Sequence, residues 1–412
     1  MKCSSIKNII VMSLLLSLLP RLLLYCIHLI PFLPNISLSD DFYLAITNYS
    51  VGTSYLYKGY FLFTKLLSWL SLGSLNAYIF LHICIGGIFG PYIYFIAEKL
   101  SLTSWQRWLA VIATSFLPYY VSTAFFQPQF SIAVVFFIIF VFYSLQLALH
   151  QTSLFYGFMF ALISVTCILF RPYMGLMAVC IFAIYIYSVI RLPYVPVKPL
   201  IKQCLVIIIT TCVCVIGSTT LLTKLDYQTG PPIFGYNLLI ANNPYVIDYA
   251  LKHDESSWLE SLIHNHYPIK SDLPLEASDQ IYKQLAFEYM FDHPWQALLN
   301  IPFKLYRFLD FRLDDADRES RLVNALYTIP YVFYFPLFLI GFITYLRKNK
   351  IPETYTCLTI LSLFLVVHLI FHGAIRHRMY IEFLLIIFAT VGLKELIQSK
   401  YLQSFKKSFK LK

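Results

Sequence analysis

Ten apolar runs, each eighteen residues or longer, recur along the chain near 9–30, 76–98, 108–126, 131–149, 153–170, 173–190, 203–223, 324–346, 354–373 and 379–396. A hydrocarbon core is roughly 30 Å thick, so about twenty apolar residues cross it as a helix. Within lipid every backbone N–H and C=O must be satisfied internally, which leaves helices or closed barrels. Barrel strands alternate in polarity over about ten residues, and none of these runs alternates that way. Composition agrees: 59% of the residues are hydrophobic and 13% charged, against roughly 45–50% and 25% in soluble chains. The expectation is an all-α polytopic membrane protein with about ten transmembrane helices.

Charge sets the direction. With the N-terminus cytoplasmic, sixteen Lys and Arg fall on the inner side against three acids, Glu98, Glu353 and Glu395. The outer side then carries fourteen bases and eighteen acids, the bias expected when positive loops stay inside. The formal net charge of +10 is thereby a topology signal, and no nucleic-acid partner is implied. Lys2 and Lys7 precede the first run and no small-residue cleavage site follows it, so an uncleaved first span is expected. The expected location is the cell (inner or plasma) membrane, with both termini cytoplasmic and the working face outward.

Three regions follow: a transmembrane module over 1–223 with an outer loop at 31–75, an outer-face segment at 224–323, and a second transmembrane module with a basic cytoplasmic tail at 324–412. The segment 224–323 holds fifteen of the 21 acids and none of the nine cysteines, so a disulfide framework is not indicated. It opens on the turn-rich Gly230-Pro231-Pro232 and Asn242-Asn243-Pro244. Helical periodicity follows at Ser278–Phe291, with Ile281, Leu285, Ala286 and Tyr289 on one face. After Pro294 a second helix is expected at Trp295–Leu309, giving a small, mainly helical outer domain. In the first outer loop, Tyr43–Tyr49 and Tyr60–Leu70 are amphipathic and suit the interface. No internal repeat is visible, unlike inverted-repeat transporters.

Few residues can carry chemistry. Asp40 and Asp41 are the only outer acids before the 224–323 segment. Either one caps the helix that follows, or one takes a proton from an acceptor hydroxyl. Arg171 ends the fifth run on the outer side, where a long basic residue is less usual. Arg376-His377-Arg378 forms a cationic knot with Glu382 one turn on; two guanidiniums there can hold a phosphate, or the pair can be a helix start salt-bridged to Glu382. Lys58 and Lys65 are further candidate cations, and Tyr43 a candidate contact. Arg21 lies inside the first run, where a charge costs about 2.5–3.5 kcal/mol and seeks a cavity or a partner. His253, Asp254, Glu255, His264 and His266 lack the spacing of a closed metal-ligand set, so no metal site is expected. Walker, nucleophile-elbow and HExxH motifs are absent.

The order of these motifs resembles the GT-C glycosyltransferases that use polyprenyl-phosphate sugars, in the branch of protein mannosyltransferases and lipid A aminoarabinose transferases. The likeness rests on Asp40-Asp41-Phe42-Tyr43 after the first span, Arg21 within it, Phe170-Arg171-Pro172, and Gly235-Tyr236-Asn237-Leu238 followed by Asn242-Asn243-Pro244. His293-Pro294 with Lys304, and Arg376-His377-Arg378-Met379, complete it. Two departures stand out. Tyr380 and Phe383 replace the usual prolines after Arg-x-Arg, and Gln127-Pro128-Gln129 stands where an acid often does.

The resemblance implies a membrane transferase that moves a hexose or pentose from a polyprenyl-phosphate donor to an acceptor hydroxyl on a glycan, lipid or protein. Asp41 or Asp40 would be the base, and Arg376, Arg378 and Arg171 would hold the leaving phosphate. Lys58, Lys65, Tyr43 and Glu382 would be further substrate contacts. Direct attack inverts the anomeric carbon; no cofactor and no essential divalent metal are expected. The alternatives are a polysaccharide polymerase or ligase acting on lipid-linked oligosaccharide, and a transporter of lipid-linked sugars.

Overall fold

The computed structural model describes residues 3–28, 58–126, 128–149, 152–191, 197–225, 234–247, 266–267, 273, 275–309, 321–348, 352–371 and 375–399. Asp40, Asp41, Tyr43 and the side chain of Arg376 lie outside these residues. The described residues form sixteen α-helices and no strand. Six segments are long and apolar enough to cross a membrane: Ser5–Ile27, Leu75–Lys99, Pro128–Leu149, Lys198–Lys224, Ala325–Lys348 and Pro352–Ile370. The pair Ser104–Ser115 and Pro118–Phe125, bent by 42°, makes a seventh if counted as one span. An all-α membrane protein is the class these helices define.

Each of the ten expected runs overlaps described helix, yet length and composition support six or seven crossings. Leu154–Phe170 and Met174–Ile190 are shorter apolar helices. In Ile375–Gln398 the charges Arg376, Arg378, Glu382, Lys394 and Glu395 interrupt the apolar run near both ends. The expected span 108–126 is bent, whereas 76–98 runs as one segment through a turn at Gly87-Ile88. Helix α1 (Cys3–His28) packs on the junction of α3 (Leu75–Gly86) with α4 (Phe89–Lys99), where the Ser17 hydroxyl donates to the Gly87 carbonyl. A Cβ at Gly87 would strike Leu18, and one at Gly90 would strike the Ser13 backbone. Helix α5 (Ser104–Ser115) gives way to α6 (Pro118–Phe126) at Pro118, which has no N–H to give and suits a helix's first turn.

Helix α7 (Pro128–Leu149) lies in the centre, 72% of its apolar window buried, which is why it is apolar all round. It packs on α8 (Leu154–Phe170), on α15 (Pro352–Ile370), and on α16 (Ile375–Gln398). Helix α9 (Met174–Arg191) packs on α8 and α15. By contrast α10 (Val197–Lys224) is 11% buried and exposes Ile208, Ile209, Val213 and Ile216, as a lipid-facing helix does. Helix α14 (Arg321–Lys348) meets α16 at a glycine crossing: a Cβ on Gly341 would strike the Phe388 carbonyl, and one on Gly392 the Leu337 carbonyl. Small residues that let two backbones touch are a common basis of helix association in lipid.

Three helices of the 224–323 segment are described: α11 (Phe234–Ala241), α12 (Leu275–Asp292) and α13 (Pro294–Leu309). The break expected at Pro294 is present. On α12, Ala286 and Tyr289 are buried as expected, whereas Ile281 is 38% exposed. The inner face runs through Asp279, Tyr282, Ala286 and Tyr289 instead, because Gly235 brings α11 against the backbone of Asp279 and Lys283. Asp279 then accepts from the Tyr236 amide at 3.0 Å. Leu238, Leu239 and Ala286 form a small core that Phe371, at the end of α15, joins.

Helix α13 is inverted. It buries Asn300, Lys304, Arg307 and Phe308, and exposes Trp295 (78%), Leu298 (53%) and Leu299 (61%). A helix at a water boundary does the opposite. Nearby, α2 (Lys58–Leu70) runs across the same end of the bundle. Its start touches Leu169 and Phe170 through Gly59, and its end turns at Ser71–Ser74 into α3, whose Asn76 carbonyl accepts from Tyr25.

Candidate functional site

The α13 end of the bundle gathers most of the candidate residues. Helix α8 stops at Arg171, whose extended backbone (φ −146°, ψ 102°) breaks the helix before Pro172. The Arg171 guanidinium donates to the Tyr380 hydroxyl at 2.8 Å and lies 4.2 Å from the Phe130 ring centre. His377 stacks on the same Phe130, and His368 lies 4.9 Å from His377, ring to ring. The start of α2 brings Lys58 beside the chain just before Arg171. Lys65 follows seven residues on, with its ammonium 5.6 Å from the Phe61 ring.

Arg378 takes a different direction. It ion-pairs with Glu382 at 2.9 Å, one turn along α16, both side chains buried. It also donates to the Phe308 carbonyl at 3.3 Å and sits 3.9 Å above the Tyr331 ring. Tyr334 donates to the same Glu382 oxygen at 3.0 Å. Of the two readings of the cationic knot, Arg378 follows the salt-bridged helix start. Residues 378 and 380 lie about 200° apart around a helix, so Arg378 faces α13 and α14 while Tyr380 faces Arg171. Position 376 is one turn before Tyr380, on the Arg171 side. Glu382 Oε2 is buried with no hydrogen-bond partner among the described residues.

Lys304 enters the site from α13. Its ammonium, 5% exposed, donates to Asn242 Oδ1 at 2.8 Å and to the Leu369 carbonyl at 3.0 Å. Among the described residues no carboxylate pairs with it. Burial pulls its pKa down from 10.5 to about 8, since water no longer solvates the charge. Asn242 in turn donates to the Ile370 carbonyl at 3.0 Å, and Asn300 donates to the Asn243 carbonyl at 3.3 Å. The fragments Gly235–Leu238, Asn242-Asn243 and Lys304, scattered in sequence, thus form one assembly on the end of α15.

Arg21 finds the partners its position demands. At 1% exposure it donates to the Ser17 and Tyr120 carbonyls, both at 2.7 Å, and lies 4.6 Å from the Phe89 ring centre. Tyr120 donates its hydroxyl to the Met379 carbonyl at 2.6 Å. Arg21 is therefore level with the start of α16, at the cationic end. Composition had singled out none of Lys304, His368 or Asn300. Lys304 entered only through the resemblance, as the lysine that follows His293-Pro294, and nothing pointed to the α15 carbonyls.

Among the described residues no group of three His, Cys, Asp or Glu side chains is placed to hold a metal. His266 stacks on Tyr245 at 4.3 Å, while His253, Asp254, Glu255 and His264 lie outside the described residues. Fold and site together define a helical membrane protein with a buried cationic cluster at one end of its bundle. No protein-family model matches the chain, and no curated protein matches it.

Proposed function

We propose that this chain is a membrane glycosyltransferase of ten spans that transfers a sugar from a polyprenyl-phosphate donor to an acceptor hydroxyl at the outer face, both termini being cytoplasmic. The observation that carries this reading is Lys304, a buried ammonium that meets an amide oxygen and a carbonyl but no described carboxylate. A buried cation is costly unless an anion balances it. A lipid phosphate at headgroup depth supplies one, and Arg171 shares the Phe130 ring with His377, which meets His368, the residue before the Leu369 that Lys304 bonds.

In the reaction the acceptor oxygen attacks the anomeric carbon, and the bond from that carbon to the phosphate oxygen breaks. Asp41 or Asp40 takes the hydroxyl proton. Arg171, Arg376 and Lys304 hold the charge that develops on the phosphate, as fixed donors in a site of low dielectric. Arg378 is neutralised by Glu382 and positions the start of α16. Attack from the face opposite the phosphate inverts the anomeric centre.

The test is to offer purified protein a panel of polyprenyl-phosphate sugars and follow binding and sugar release. Wild type binds at least one donor. Asp41→Asn retains donor binding and loses transfer, whereas Arg171→Gln and Lys304→Gln weaken donor binding. Failure of the whole panel, with binding of a diphosphate-linked oligosaccharide instead, would move the chain to the polymerase or ligase class.

A further inference from the structure

The opposite end of the bundle carries a cleft that the transferase reading does not use. It lies between the α4–α5 turn, the end of α14 and the end of α16, and Leu100, Leu102, Tyr345 and Val391 give it an apolar floor. Its walls are fixed by hydrogen bonds. Tyr345 donates to the Leu100 carbonyl at 3.1 Å, and Gln106 donates to the Thr390 carbonyl at 3.0 Å. On the rim Lys348 pairs with Glu395 at 2.7 Å. Lys394 also lines the cleft, half-buried, and no described carboxylate pairs with it.

Ser101 completes the rim. It has φ +59°, the left-handed conformation that a helix stop usually gives to glycine. The Leu102 amide bonds back to the Ala97 carbonyl at 3.1 Å, and the Ser101 amide to the Glu98 carbonyl at 2.8 Å, the pattern of that stop. Serine there costs conformational energy that glycine would not. In return it puts a hydroxyl-bearing side chain on the exposed rim, and Thr344 also lines the cleft.

We infer that this cleft binds the phosphate of an anionic phospholipid, with Lys394 as its counter-charge and Ser101 and Thr344 as hydroxyl donors. The apolar floor takes the first methylenes of an acyl chain. Basic pockets between membrane helices are suited to lipid phosphates.

The test uses the full chain, purified in detergent and stripped of lipid. Thermal midpoints are read with phosphatidylglycerol, with phosphatidylcholine and with soluble glycerol phosphate. Phosphatidylglycerol alone should raise the wild-type midpoint. Lys394→Gln should weaken that lipid about five-fold, the loss expected for one lysine at a lipid surface. Ser101→Gly should raise the lipid-free midpoint and shrink the lipid response. Lys99→Gln, on the same end but outside the cleft, should behave as wild type. An unchanged response in Lys394→Gln, an equal loss in Lys99→Gln, or an equal shift with glycerol phosphate would each overturn the site.

Discussion

Lys304 and Asn242 divide the last two carbonyls of α15 between them. Lys304 takes Leu369 at 3.0 Å, Asn242 takes Ile370 at 3.0 Å, and the two side chains bond to each other at 2.8 Å. A helix leaves its final carbonyls without intrahelical partners, and a cation there also meets the negative end of the helix dipole. The 224–323 segment is thereby joined to the bundle by capping one of its helices.

Lys304→Met should cost about 1–3 kcal/mol, because the Leu369 carbonyl stays buried without its donor. The pH dependence has a definite sign. The folded pKa is about 8 against an ordinary 10.5, so between these values the unfolded chain holds the extra proton. The charge penalty is complete below pH 8, and stability gains as pH rises through that window, by roughly 3 kcal/mol at most. The wild-type gain between pH 7.5 and 10 should exceed that of Lys304→Met in detergent thermal melts. Equal slopes would show that this ammonium is not desolvated.

Arg378→Met should destabilise by about 3–5 kcal/mol, since it strands a buried carboxylate. Adding Glu382→Leu should restore much of that loss. A double-mutant cycle on thermal stability reads the coupling directly, and additive losses would mean that the pair does not interact.

The exposed face of α13 should lie in lipid. Trp295 fluorescence, read in a variant with the other four tryptophans changed to Phe, should be quenched by brominated acyl chains more than by aqueous iodide. Leu298→Glu with Leu299→Glu should reverse that preference. Stronger iodide quenching in the parent would place this face in water.

Two glycines make a contrast. Gly392→Ala pushes a methyl at the Leu337 carbonyl and should destabilise by about 1–3 kcal/mol, as overpacking does. Gly217→Ala meets nothing within 4 Å and should stabilise by up to about 1 kcal/mol through helix propensity. Circular dichroism melts of the two variants should move in opposite directions.

Much of this was open to a reader of the sequence. Apolar run length located the helices, Pro294 marked the α12–α13 corner, and the four-residue spacing of Arg378 and Glu382 offered their pair as one of two readings, the other being phosphate binding. Run length did not show the turn at Gly87 or the bend before Pro118, since hydropathy continues across both. The inversion of α13 was hidden for a related reason. Periodicity identifies an apolar face without saying whether protein or lipid will cover it, so the expected helix at Trp295–Leu309 carried no assignment of its inner face. Lys304 and Arg21 resisted because their partners are backbone carbonyls of distant residues, and a carbonyl leaves no trace in residue identity. Asp40 and Asp41 lie outside the described residues, so their role rests on the motif alone.

The chain of contacts from Arg21 through Tyr120 to Met379 has a bearing on biogenesis. Helix α1 precedes α6 and α16 in the chain, yet the hydroxyl that steadies its acceptor bonds to a carbonyl 259 residues beyond Tyr120. Until α6 is inserted, the Arg21 guanidinium has no Tyr120 carbonyl to meet, and until α16 follows, Tyr120 lacks its own anchor. Helix α1 thus enters the bilayer as an incomplete partner, and its contact with Tyr120 is sealed only after α16 joins the bundle.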